Sequence, residues 1–184
     1  MARSQPTTLL VGAIISTALL GALPVSTVQA DDDHDDGRSK RNFRVGLSPY
    51  QEVPAISSVA KGEFRLRISR DGQSMGYELS YSGLEGTVTQ AHIHFGQKHV
   101  NGGISVFLCG TGTGGTAGPA GTPVCPQSGS VERTVTAADV IGPAGQGIEA
   151  QALAELVAAI RAGKAYANVH STKWPGGEIR GQIK

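Results

Sequence analysis

The chain has 184 residues, with 16 Lys and Arg against 15 Asp and Glu, a formal net charge of +1 and 17% charged residues. That balance argues against a nucleic-acid partner, because binding a phosphate backbone takes a strongly basic surface. The length suits one domain around one core, and only two cysteines and five histidines are on hand for thiol or metal chemistry.

The first thirty residues read as a cleaved secretory signal. Arg3 supplies a positive start, Leu9 to Leu23 form an apolar run, Pro24 breaks it, and Val28-Gln29-Ala30 gives the small-residue pattern that precedes a cut after Ala30. The run is too short to span a bilayer. The mature chain is therefore expected to be secreted or periplasmic, without a membrane span. Cleavage would remove Arg3 alone among the charged residues, leaving 15 basic side chains against 15 acidic ones.

Residues 31–42 follow as a charged leader. Asp31-Asp32-Asp33-His34-Asp35-Asp36 precedes Gly37-Arg38-Ser39-Lys40-Arg41, with no apolar residue to bury. Such a block is expected to remain solvated.

From Asn42 the apolar pattern takes a period of two. Phe43, Val45 and Leu47 alternate with polar neighbours, and Phe64, Leu66 and Ile68 lie opposite Glu63, Arg65 and Arg67. Asp71-Gly72 marks a turn, after which Met75, Tyr77, Leu79 and Tyr81 resume the alternation. Ser82 to Gly86 turns again into a strand over 87–95. Ile104 to Leu108 is apolar at nearly every residue, as in a strand covered on both sides. Ser130 to Val135 reads as another strand, with Thr136 capping a short turn over 137–141. Ile148 to Ala162 carries a helical stripe of Leu153, Leu156, Val157 and Ile160, with Gly163 at its end. Strands over 164–171 and 178–184 close the chain. The expected fold is all-β: a Greek-key antiparallel sandwich or barrel of about eight strands with one inserted helix.

Cys109 and Cys125 bracket a Gly-, Thr- and Pro-rich loop. In an oxidising compartment they are expected to form a disulfide, worth about 3 kcal/mol by loop-closure entropy. A zinc site or catalytic thiol lacks the further ligands it would need.

The candidate site lies on Gln90-Ala91-His92-Ile93-His94-Phe95-Gly96. Period two puts His92 and His94 on one strand face, with Ala91 and Ile93 on the other. His170, ending Tyr166-Ala167-Asn168-Val169-His170 and facing away from Val169, is the third candidate ligand. His99, in the loop after the pair, is an additional one. Three imidazoles without thiolate or carboxylate suit copper or zinc. Two other readings stay open: hydrogen bonding across the sheet face that orders the glycine-rich loops, and pH sensing or polar-ligand binding. Glu178, Arg180 and Gln182 form a second polar stripe, and Glu52, Glu178 and Arg180 are expected to form a carboxylate–guanidinium network. We read no Gly-x-Ser-x-Gly elbow, no phosphate loop and no cleft-type carboxylate pair, which counts against a hydrolase.

Tyr50-Gln51-Glu52-Val53-Pro54, Gly83-Leu84, Thr89-Gln90-Ala91-His92-Ile93-His94, Tyr166 to His170 and Pro175-Gly176-Gly177-Glu178-Ile179-Arg180-Gly181-Gln182 stand in an order that resembles the CHRD (chordin) domain family over 43–184. The resemblance implies a β-sandwich, export, and a binding module; in chordin such domains sit in an extracellular antagonist of growth factors, so an extracellular protein partner is a second expectation. Ala91 to Gly96 is also similar to the copper-binding His-x-His-x-Phe-Gly strand of copper/zinc superoxide dismutases. That likeness implies, as an alternative, a copper-only dismutase-like redox enzyme, with His170 as a further ligand and Arg180 guiding the anion. The loop between Cys109 and Cys125 holds no His or Asp, so zinc ligands of that family have no counterpart. A purely structural or adhesive domain without cofactor is the remaining alternative.

Overall fold

Each alternating segment forms a strand in the computed structural model, which describes residues 40–111 and 117–184. The signal and most of the leader lie outside the described residues. The strands are β1 (Asn42–Leu47), β2 (Lys61–Ile68), β3 (Met75–Ser82), β4 (Val88–Phe95), β5 (Gly103–Gly110), β6 (Gly129–Val135), β7 (Ala165–Ser171) and β8 (Ile179–Ile183), with one helix, α1 (Leu153–Arg161), between β6 and β7.

They form two antiparallel sheets, β1-β2-β3-β6 and β5-β4-β7-β8. β6 returns to pair with β3 after β4 and β5 have paired in the other sheet, which is the long return of a Greek key. Phe64, Ile68, Met75 and Leu79 of the first sheet face Ala91, Ile93, Val169, Ile179 and Ile183 of the second, all at 0% exposure. α1 adds Leu153, Leu156, Val157 and Ile160 to the same core. A pair of hydrogen bonds between Ser48 and Arg180 (3.1 and 3.2 Å) ties the end of β1 to β8 across the two sheets. Cys109, at 0% exposure in β5, is joined to Cys125 with Cα atoms 5.0 Å apart. No helix among the described residues is long and apolar enough to cross a membrane.

The helix is shorter than the periodicity predicts. Ile148 is buried, but it reaches the core from a turn; Gln151 has a left-handed backbone (φ 67°), so helical geometry starts only at Leu153. The turn after Thr136 forms over Ala137–Asp139, where Asp139 Oδ2 accepts the Thr136 backbone N–H at 2.8 Å.

The two sheets treat their outer faces differently. The outer face of the first carries Arg44, Arg65, Arg67 and Glu132, all exposed. The outer face of the second is roofed by loops, and every residue of β7 is buried. The candidate site lies under that roof.

Candidate metal centre

Two neighbouring strands bring three imidazoles together. β4 supplies His92 and His94; β7 runs antiparallel beside it and supplies His170, in register with Gln90. Because Ala91, Ile93, Ala167 and Val169 point into the core, the intervening residues all project outward. Bulges in the β4–β5 pairing, between Ala91 and His92 and between Ile93 and His94, flank His92 and set it beside Phe107, with ring centroids 4.4 Å apart.

The ligand atoms of His92, His94 and His170 lie within 4.8 Å of one another, and the residues are 0%, 7% and 6% exposed. His99 does not join them. It stands exposed on the loop after β4, turned away by a positive φ of 65°.

Hydrogen bonds orient each ring. His94 Nδ1 lies 2.9 Å from the Gly102 carbonyl, and His170 Nδ1 lies 2.9 Å from the Pro175 carbonyl. A carbonyl only accepts, so both Nδ1 atoms carry the proton, and the neutral rings present bare Nε2 lone pairs. His92 Nδ1 lies 3.1 Å from His170 Nε2 and donates to it, leaving His92 Nε2 bare as well. Nε2 of His92 and Nε2 of His94 are buried without a hydrogen-bond partner. Asn168 Oδ1 sits 3.0 Å from His170 Nε2, which sets a second acceptor against that lone pair.

The loop backbones that receive these bonds come close only because glycine permits it. A Cβ at Gly102 would overlap the Phe95 carbonyl. At Gly177 (φ +122°) a Cβ would lie 2.6 Å from Glu52 Oε1 and 2.7 Å from Asn168 Nδ2. Asn101-Gly102 and Pro175-Gly176-Gly177 thus serve the site as close-packed roof segments.

Burial sets the charge state. Desolvation, reinforced by the neighbouring imidazoles, pushes His92 down to about 2; desolvation brings His94 to about 4 against the opposing pull of the Gly102 carbonyl. His170 is lowered as well, mainly by burial. All three rings are neutral ligands at neutral pH.

The polar stripe divides into two parts. Arg180, 2% exposed, stacks its guanidinium on Tyr166 at 3.3 Å and donates to Asn101 Oδ1 (3.0 Å) and the Val100 carbonyl (2.6 Å). Tyr166 stacks in turn on His94, its ring parallel at a centroid distance of 4.8 Å. Glu52, 6% exposed, has its carboxyl raised to about 7 by burial, although Arg180 and the Asn168 amide pull it down. Glu178 is elsewhere: its oxygens accept from Ser58 Oγ (2.7 Å), the Glu85 N–H (2.9 Å) and Ser171 Oγ (2.6 Å). The expected three-residue network therefore separates, because Glu178 precedes β8 and is satisfied by neutral donors from the end of β7 and from two loops.

Sequence reasoning missed Asn168 and Tyr166 as members of this site. The signal was available: both alternate with Ala167 and Val169 on the strand that ends at His170. It also passed over Gly72-Gln73-Ser74-Met75-Gly76, which has the spelling of a hydrolase nucleophile elbow. The structure places it in the β2–β3 hairpin rather than at a strand-to-helix turn, with the Ser74 N–H donating to Ser69 Oγ at 3.0 Å. Among the described residues no histidine hydrogen-bonds to Ser74.

Fold and site together define an eight-stranded Greek-key sandwich with a roofed three-histidine cluster on one sheet. The description "CHRD domain" matches residues 43–183, nearly the whole folded chain, and the protein belongs to the CHRD domain family. No curated protein and no solved structure matches the chain.

Proposed function

We propose that this CHRD domain is an exported binding module that holds a copper or zinc ion through His92, His94 and His170. The observation that carries the reading is the pair of buried Nε2 lone pairs on His92 and His94 with no hydrogen-bond partner. Leaving buried polar atoms unsatisfied costs about 1–3 kcal/mol each, and a metal would satisfy both at once.

The donor set fits. Neutral imidazoles suit copper and zinc, and Nδ1–H bonds to carbonyls are the arrangement that orients metal-bound histidines. Nitrogens bound tetrahedrally at about 2.0–2.1 Å lie roughly 3.3 Å apart, so rings whose nitrogens now lie within 4.8 Å would move inward, and His92, whose Nδ1 faces His170, would turn its Nε2 toward the ion. His170 Nε2 would exchange its contact with His92 for the ion, and Asn168 Oδ1 stands ready as a neighbouring oxygen. Such an ion would supply Lewis acidity or, as copper, one-electron chemistry. The dismutase-like alternative draws less support, since Arg180 is held beneath Tyr166 and spends its donors on the roof.

Chelator-treated protein titrated with Cu(II) and Zn(II) tests the proposal. One ion per chain is expected, bound about a hundredfold more tightly than by the His92→Ala/His94→Ala variant. Equal affinity of the two proteins would refute it.

A further inference from the structure

The first sheet carries a second feature at its opposite, solvent-facing side. Its strands align residues in rows across the exposed face. One row is Arg44, Arg65, Glu78 and Glu132. Its arginines are paired: Arg44 with Glu63 at 2.7 Å, Arg65 with Glu63 at 2.7 Å and with Glu78 at 3.2 Å. The next row is Asn42, Arg67, Gly76 and Thr134, and it contains no acid.

Arg67 meets Arg41, just before β1, and Arg70, in the β2–β3 turn, around a dent of about 370 Å³. Ser69, Ser74 and Thr134 bring hydroxyls to the same dent. Among the described residues none of these three arginines has an ion pair. The acid nearest in sequence, Asp71, has its Oδ1 taken by Ser69 Oγ (2.6 Å) and the Gln73 N–H (3.0 Å). Gly76 forms the floor: a Cβ there would meet only Thr134 Oγ1, at 4.0 Å. Three guanidiniums that line one dent and form no ion pair among the described residues repel one another, and an oxyanion that accepts forked hydrogen bonds from several of them relieves that repulsion.

We infer that this dent binds a small tetrahedral oxyanion ester, a sulfate or phosphate monoester on a sugar-sized carrier. The ion-paired cluster of Arg44, Arg65, Glu63 and Glu78 bounds the positive surface on one side, so the site takes one anionic group and does not extend into a track for a polyanion. It lies on the sheet that does not carry the histidines, and it stands independently of the metal proposal.

The test is a titration of the full chain, followed by amide and Arg Nε–H NMR signals, with inorganic sulfate, inorganic phosphate, glucose 6-sulfate and glucose 6-phosphate. Saturable shifts centred on Arg41, Arg67, Arg70 and Gly76 are expected with at least one ester. Affinity should fall about tenfold in Arg67→Ala and about tenfold again in Arg67→Ala/Arg70→Ala. Gly76→Val, which fills the floor while suiting a strand, should block the ester; Arg44→Ala should leave binding unchanged. Four results would each overturn the inference: no saturable shift, equal binding by Arg67→Ala/Arg70→Ala and the unsubstituted chain, binding of inorganic ions without either ester, or an Arg44→Ala loss as large as that of Arg67→Ala. Unchanged thermal unfolding of the exposed arginine variants separates loss of binding from loss of fold.

Discussion

Acidification of the metal-free protein probes the histidine cluster through stability. Below the ordinary imidazole pKa the unfolded chain binds protons that His92 and His94 refuse in the folded state, with pKa values of about 2 and 4. The unfolded state then holds more protons, so stability falls as pH falls. Between about pH 7 and pH 5 each of these rings costs about 1.9 kcal/mol, or about 4 kcal/mol together. Glu52 acts in the opposite sense. Its folded carboxyl, raised to about 7, takes up a proton across the same interval while the unfolded one does not. That returns about 2 kcal/mol. The net expectation is a loss of about 2 kcal/mol, which the lowered pKa of His170 increases further. Glu52→Gln removes the compensating group, so its loss over the same interval should approach about 4 kcal/mol plus the same His170 contribution. Urea unfolding in the presence of a chelator, followed by the fluorescence of Trp174, the one tryptophan, measures both. Stability that is constant or rises on acidification, or an identical pH slope in Glu52→Gln and the unsubstituted protein, would contradict proton exclusion by the buried rings and proton uptake by Glu52.

Three other outcomes follow from particular contacts. Metal affinity should change less than about tenfold between pH 7 and pH 5.5, where three imidazoles of ordinary pKa would lose about a thousandfold, because the folded rings carry few protons to displace; calorimetric titration at both pH values checks this. Gly181→Ala would bring a Cβ to 2.5 Å from Val45 Cγ1 and 2.6 Å from the Gly46 carbonyl, forcing apart the β1–β8 closure; a destabilisation of about 1–3 kcal/mol in chemical unfolding is expected. Reduction of the Cys109–Cys125 bond should cost about 3 kcal/mol, read as a lowered unfolding midpoint in reductant, with little change in the β-sheet circular dichroism of the folded state.

The strands were legible because most of them obey one rule. In the first sheet a single face is buried, so Phe64, Leu66 and Ile68 alternate with Glu63, Arg65 and Arg67 and leave a clear period of two. His92, His94 and His170 were legible for the same reason, each lying opposite a run of small or aliphatic residues. What the pattern could not carry was the roof. Residues 49–59, 97–102 and 172–177 reach the outer face of the second sheet through contacts distant in sequence, such as Arg180 Nη1 donating to Asn101 Oδ1 at 3.0 Å. That covering turns a polar strand face into a buried site, and it determines that Glu52 sits close to the cluster while Glu178 does not. His99 shows the converse: proximity in sequence to His94 counts for little once the loop backbone turns it out to solvent. The start of α1 was misplaced because Ile148 continues the helical apolar stripe, while the chain satisfies its burial from a turn.

X-ray absorption at the metal edge of the copper- or zinc-loaded protein reads out coordination by His92, His94 and His170. Three imidazole nitrogens are expected around the ion at about 2.0–2.1 Å, with the imidazole scattering reduced in His170→Ala and lost in His92→Ala/His94→Ala/His170→Ala. A shell of oxygen ligands alone, or one unchanged by those substitutions, would contradict it.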